Sequence, residues 1–193
     1  MIRSFLENAT RGWKFRRRLP REYGSAPIWI TPAGGLKYLV QNMRDIDPML
    51  LSFCDQYVKP GAVVWDIGAN VGLFSIASAA LAGATGKVLS CEPDVWLVQL
   101  LRKSASLQSE KSAPMDILPI GVAGSLGLNR FALAKRSRAT NHLEGYGSTM
   151  AGGVREWTTI FCVTLNWMSE NLPLPDVQNR RRGCRRRITW GSR

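Results

Sequence analysis

The sequence predicts an α/β fold, a doubly wound and mainly parallel sheet, and three stretches carry that expectation. Ala62 to Ile67 is a continuous apolar run broken only by Asp66, as expected of a strand covered on both faces. After a glycine-bearing turn, Leu73, Ile76, Ala77 and Ala80 recur at helical spacing. Val88 to Glu92 then reads as a second strand, and strands that alternate with helices join one parallel sheet through right-handed crossovers.

Taken in order, the first twenty or so residues read as a basic, loosely structured arm, and 1–34 as that arm plus a lead-in. Ile28 to Ile30 and Leu36 to Val40 flank the turn Pro32-Ala33-Gly34-Gly35, which suggests a short antiparallel pair. Asp47 stands where a helix N-cap belongs, with Pro48 at the first helical position. Leu50, Phe53, Cys54 and Tyr57 follow at the spacing of one helix face, until Pro60-Gly61 stops the helix. Beyond the second strand, Pro93-Asp94 opens a helix with Leu97, Leu100 and Leu101 inward, and Met115 to Val122 reads as a third strand. Gly124 to Glu156, rich in Gly, Ser, Arg and Asn, is expected to form a hairpin or excursion beside the pocket, with Asn129 to Ala134 as its β-prone piece. Thr158 to Leu165 is a further strand, and Asn166 to Glu170 a short helical turn.

A chain of 193 residues with 45% hydrophobic content is enough for one domain with its own core. Cys54, Cys91, Cys162 and Cys184 form no CxxC pair and no evenly spaced framework, so a reducing, cytoplasmic setting is expected. Leu73 to Ala84 falls short of the roughly 20 apolar residues a membrane span needs, so no span is expected. The N-terminus lacks the apolar core and cleavage site of a secretory signal, although its arginines leave an organellar presequence or a membrane-surface arm as minor readings. The net charge of +12 is lopsided: Gln178 to Arg193 hold seven arginines and no acid, and seven basic residues face one acid before Glu22. The body of the chain is close to neutral, which argues against a nucleic-acid partner there.

In an open α/β sheet, ligands bind beyond the carboxyl ends of the strands, and the first strand-to-helix turn is the usual place. Asp66-Ile67-Gly68-Ala69-Asn70-Val71-Gly72 occupies that turn. Its glycines allow close backbone approach, and the helix start beyond offers unpaired N–H groups. Glu92, twenty residues after Gly72, ends the second strand, where an acid can accept hydrogen bonds from two ribose hydroxyls. Together these describe a site for an adenosine-containing cofactor. A dinucleotide would want GxGxxG to seat its pyrophosphate, whereas here Gly68 and Gly72 are spaced GxxxG, Asn70 replaces the middle glycine and Asp66 precedes the turn. A carboxylate there repels a pyrophosphate and suits a cofactor bearing an ammonium and a sulfonium, which favours S-adenosylmethionine.

The segments VVWDIGANVGLFSIA and GKVLSCEPD resemble the FkbM family of S-adenosylmethionine-dependent methyltransferases, over about Gly35 to Val177. The resemblance implies a Rossmann-like methyltransferase sheet in which Asp66, Gly68, Asn70 and Gly72 line the methionine end of the cofactor, with Ala69 among them, and Glu92 holds the ribose. It also implies O-methylation of a sugar or natural-product hydroxyl, that is, a small-molecule or glycan acceptor. Val163 to Asn166 is similar to the family's V-x-L-D segment, with Asn166 where the family carries an acid.

In the family a strand reading KIDVEGAE follows the segment that corresponds to Leu174 to Val177, whereas this chain reads QNRRRGCRR. One back-translation of that stretch, read one base later, encodes KIDVEGAE. Residues 178–193 are therefore expected to be an out-of-frame tail after a partial domain spanning 35–177. The C-terminal half of the sheet would then be missing, Ala62 to Ile67 would become an exposed edge, and the chain would be marginally stable and inactive. A nicotinamide-dependent dehydrogenase fragment and a nucleic-acid-binding protein acting through the Arg-rich tail are the alternatives. No catalytic base is assigned: His142 reads as a surface or packing residue, Asp116 as adenine-proximal or a strand start, and Trp65 and Trp96 as packing positions.

Overall fold

The structure, a computed structural model, describes residues 12–34, 38, 42–135, 137–147 and 153–172. Three parallel strands form its centre in the order β3 (Val63–Ile67), β4 (Lys87–Cys91), β5 (Met115–Leu118). Helix α2 (Leu73–Ala82) connects the first two and α3 (Val95–Ala105) the second two, so the expected β-α-β-α-β unit is present.

Strand alternation sorts the core into two layers. Val64, Val88 and Met115 face α2, α3 and α1 (Pro48–Tyr57), where Leu51, Ile76, Ala79, Leu97 and Leu100 are buried. The opposite face carries Trp65, Leu89, Cys91 and Leu118, covered by Val163 and by Met168 of α4 (Leu165–Asn171). With helices on both faces the sheet is doubly wound. Each fully buried aliphatic side chain contributes about 1.5–3 kcal/mol.

Local signals place the helix starts. Asp47 Oδ1 accepts from Leu50 N–H at 3.1 Å and Pro48 opens α1, while Asp94 Oδ1 accepts from Trp96 N–H at 3.0 Å and caps α3. The inward face of α1 differs from expectation. Leu51 and Cys54 are buried, but Phe53 and Tyr57 are exposed and stack on one another, with Phe53 also tilted against Phe74. Contact with a single neighbouring helix buries only a narrow stripe, and these aromatic rings lie outside it.

Two further expectations are corrected. Phe15–Arg18 is not a loose arm but β1, antiparallel to β2 (Pro27–Ile30); most of Leu36 to Val40, the partner expected for Ile28 to Ile30, lies outside the described residues. The β1–β2 pair is bolted to α3, because Ser104 Oγ accepts from Trp29 N–H and Gln108 donates to the Pro27 carbonyl, both at 2.8 Å. The third strand does not run unbroken from Met115 to Val122. It stops at Leu118 and resumes as β6 (Gly121–Val122) in another sheet, since Pro119 has no N–H to give to a ladder.

That second sheet has the order β6, β9 (Val154–Val163), β7 (Gly127–Ala134), β8 (His142–Leu143). β7 runs antiparallel to β9, which makes the expected excursion a hairpin-like layer beside the ends of β3 to β5. Among the described residues no strand pairs with the outer edge of β3, and Ile67 there is 44% exposed. The Arg-rich segment 178–193 and the expected frame change lie outside the described residues.

Candidate functional site

The turn after β3 is shaped by three left-handed residues within five positions: Gly68 at φ 83°, Asn70 at φ 52° and Gly72 at φ 90°. Asn70 is the non-glycine type that best tolerates this region. The N–H groups of Gly68 and Ala69 both donate to the carbonyl of Cys91, at 2.9 and 3.0 Å, and fasten the turn to the end of β4. At Gly72 a Cβ would run into Leu101 of α3, so its glycine serves close packing as well as backbone conformation. At Gly68 nothing lies within 4 Å of where a Cβ would stand, which leaves that side of the turn open.

Glu92 straps the turn from the other side. One carboxylate oxygen accepts from Asn70 N–H and the other from Asp94 N–H, each at 2.8 Å. The side chain is 5% exposed, and burial pushes its carboxyl up to about 7, against the lowering by those two amides. Each oxygen keeps a second lone pair for a further donor.

Asp66 sits differently from what its place in the motif suggests. On β3 it points to the α2 side, where Ser75 donates to it through both Oγ and backbone N–H, and Ser75 Oγ also lies 2.8 Å from Ser90 Oγ. Gly72 has no side chain to cap α2, so the Asp66 carboxylate does that work from the preceding strand. Burial raises its carboxyl above the usual carboxylate range. It does not line the crevice described next.

Beyond the carboxyl ends of the three parallel strands lies a cavity of about 260 Å³. Gly68 and Asn70, then Glu92, then Ile120 to Val122 form its floor, one contribution from each strand end. Over it, as a roof, lie Phe131 of β7, His142 of β8, and Arg138 and Asn141 from the connection between those two strands. Of the six cofactor residues expected from sequence, Gly68, Asn70 and Glu92 meet in this cavity, while Asp66, Ala69 and Gly72 support it from behind. Asn70 Oδ1 is buried without a partner among the described residues.

Of the roof residues, Phe131, Arg138 and Asn141 are not among the expected site residues, and His142, expected as a surface or packing residue, lines the crevice. Asp94 is 4% exposed, and its carboxylate forms an ion pair with Arg138 and accepts from Asn141 Nδ2 at 2.9 Å. The Arg138 guanidinium also lies over the Trp96 ring, 4.6 Å from its centre. The only signal in the sequence was the Asp of the Glu-Pro-Asp segment, whose partners stand 44 and 47 residues away. His142 Nδ1 lies 3.0 Å from the Thr140 carbonyl, which can only accept, so Nδ1 is the donor in that contact. Asp116 pairs with Lys87 at 2.7 Å at the start of β5, away from the crevice, and Asn166 is exposed in the first turn of α4. Among the described residues no group of three His, Cys, Asp or Glu side chains is placed to hold a metal, and no helix is long and apolar enough to cross a membrane.

No family model matches this chain, and no curated protein matches it. Among solved structures it is similar to an S-adenosylmethionine-dependent O-methyltransferase from Thermotoga maritima, at 17% identity and a TM-score of 0.32, over 48% of this chain and 36% of that one. This chain therefore corresponds to about a third of that protein, and a likeness of this degree decides neither cofactor nor substrate.

Proposed function

We propose that the crevice holds the adenosine end of S-adenosylmethionine, and that the chain is the cofactor-binding part of a methyltransferase of the FkbM kind. The observation that carries this reading is Glu92: a carboxylate at the end of the second parallel strand, buried beside an open glycine turn, with a free lone pair on each oxygen. That is the arrangement needed to accept from two vicinal hydroxyls of a ribose.

The residues present fit the group. Asn70 Oδ1 is a buried acceptor without a partner among the described residues, set against Gly34, and it reaches the ammonium of a methionine moiety only if the Asn70 side chain turns toward the crevice. The cavity, about 260 Å³, is just below the roughly 300–1,000 Å³ usual for small-molecule sites, so it accommodates the nucleoside and leaves the remainder at the open mouth past Gly68. When bound, the cofactor supplies an electrophilic methyl on a sulfonium. The chain's own part is to fix the turn through Glu92, to close the roof through Arg138 and Asp94, and to receive a proton from an acceptor hydroxyl. His142 Nε2 is the crevice-lining base for that last task. A small-molecule or glycan hydroxyl as acceptor, and a cytoplasmic setting, belong to the same proposal.

Calorimetric titration of the chain with S-adenosylhomocysteine, S-adenosylmethionine and NAD tests it. The first two are expected to bind, with Glu92→Ala abolishing the heat. Binding of NAD without the other two would transfer the site to dinucleotides.

A further inference from the structure

A second cavity, about 520 Å³, lies at the other end of the sheet, away from the crevice. One wall is β1 and the turn behind it, and the other is the segment 107–112 that follows α3. Its charge is one-sided. Arg16, Arg18 and Lys111 line it together with the hydroxyl-bearing Ser25, Ser109 and Ser112, and no Asp or Glu does.

The composition follows from strand geometry. Residues two apart on a strand share a face and lie about 6.8 Å apart, so Arg16 and Arg18 stand side by side on the outer face of β1 while Phe15 packs into the core. Neither they nor Lys111 form an ion pair among the described residues. Of the nearby acids, Glu22 pairs with Arg44 and Asp55 accepts from Tyr23, while Glu110, exposed beside Lys111, lies in the adjoining depression and not in the cavity lining. Arg18 spends one N–H on the Ser25 carbonyl, which sets its guanidinium against the cavity and leaves its other donors. Ser25 holds φ 50°, a left-handed backbone few non-glycine residues adopt, and its side chain faces the same space.

Three exposed cations around a concave, hydroxyl-lined space raise the local positive potential, which draws an anion into it most strongly at low salt. Guanidinium forks match phosphate oxygens in pairs, and an ammonium adds a point charge opposite. The backbone of the walls is anchored, since β2 is tied to Ser104 of α3 and to Gln108 just beyond it, so the ordering a ligand costs falls on the exposed side chains of Arg16 and Lys111.

We propose that this cavity is a binding site for a phosphorylated ligand of the di- or oligophosphate class, independent of what the crevice binds. Such a group reaches the protein either on a soluble small molecule or on a lipid headgroup, and both present the same oxygens to Arg16, Arg18 and Lys111.

The test uses the full chain and inorganic pyrophosphate, titrated by calorimetry at constant ionic strength, with sulfate as control. Pyrophosphate is expected to bind more tightly than sulfate, and Arg16→Gln combined with Lys111→Gln to weaken it by about tenfold or more, as expected for loss of two charge-assisted contacts. Lys59→Gln, an exposed site outside the cavity, is expected to leave the affinity unchanged and also controls for folding. Sedimentation with vesicles of phosphatidylcholine, with and without a phosphoinositide, separates the sources: vesicle binding that pyrophosphate competes away assigns the headgroup, and pyrophosphate binding without vesicle binding assigns a soluble ligand. Equal affinity for sulfate and pyrophosphate overturns the site, as does a folded double variant that binds like the parent. Binding of a short single-stranded RNA that pyrophosphate does not displace also overturns it, because the charge would then serve an extended surface.

Discussion

Replacing Glu92 by Gln isolates the group on which the proposed cofactor site depends. In the parent, both carboxylate oxygens accept backbone N–H groups at 2.8 Å. A glutamine keeps one oxygen and turns an NH2 toward the second N–H, so two donors face one another in a buried place, at a cost of about 1–3 kcal/mol. The substitution also removes a titration. Burial raises the Glu92 carboxyl from 4.5 to about 7 in the folded chain. The folded state therefore binds the proton more tightly than the unfolded one, and the stability linked to it is present at low pH and lost as pH rises toward about 7. Between about pH 5 and pH 8 this amounts to a loss of roughly 2–3 kcal/mol in the parent and none in the variant. Asp66 is raised in the same direction, but it titrates in both proteins and cancels in the difference. Urea unfolding of the two proteins across this range measures it: the variant starts less stable near pH 5, and the gap closes or inverts by pH 8. A pH-independent gap would refute the burial of Glu92 and the loop strap built on it.

Three other substitutions probe the surroundings. Arg138→Ala strands the Asp94 carboxylate, which is 4% exposed, and is expected to cost about 3–5 kcal/mol by chemical denaturation while opening the crevice roof to hydrogen exchange. Gly72→Ala adds a Cβ against Leu101 at φ 90° and is expected to lower stability by about 2–4 kcal/mol, the sum of left-handed strain and overpacking; an unchanged melt would show that α3 yields. His142→Ala is expected to leave the calorimetric affinity for S-adenosylhomocysteine unchanged, because the imidazole is proposed to serve the methyl acceptor and not the nucleoside; a large loss of affinity would place it on the cofactor instead.

What the sequence made legible was local. Asp47-Pro48 and Pro93-Asp94 place helix starts through contacts within three residues, and the apolar runs at 62–67 and 88–92 mark strands because both faces of a central strand must be covered. Residues whose roles depend on distant partners were not legible. Phe15 to Arg18 reads as a polar arm because three of four positions are arginine, yet β2 twelve or so residues later supplies a full antiparallel register. Arg138 and Asn141 lie in a Gly- and Ser-rich stretch with no periodicity, and only the fold brings them to Asp94. Phe53 and Tyr57 fit the helical period but pack outward, since periodicity reports which residues share a face and not how much of that face a neighbour covers.

The acids of the motif divide their labour in a way that changes the electrostatic case for the cofactor. Asp66 was the acid expected to reject a pyrophosphate, but its carboxylate is consumed by Ser75 and the start of α2, and burial favours its neutral form. Asp94 is consumed as well, by the start of α3 and by Arg138. Of the three, Glu92 lines the crevice with acceptor capacity left over, at the second strand, and it shares that lining with Arg138, whose Nε has no partner among the described residues. A pyrophosphate needs N–H groups aimed at it, and in this turn the amides of Gly68 and Ala69 are spent on Cys91 and that of Asn70 on Glu92. The proposed preference against a dinucleotide thus rests on the amides of Gly68, Ala69 and Asn70, which are already used on Cys91 and Glu92.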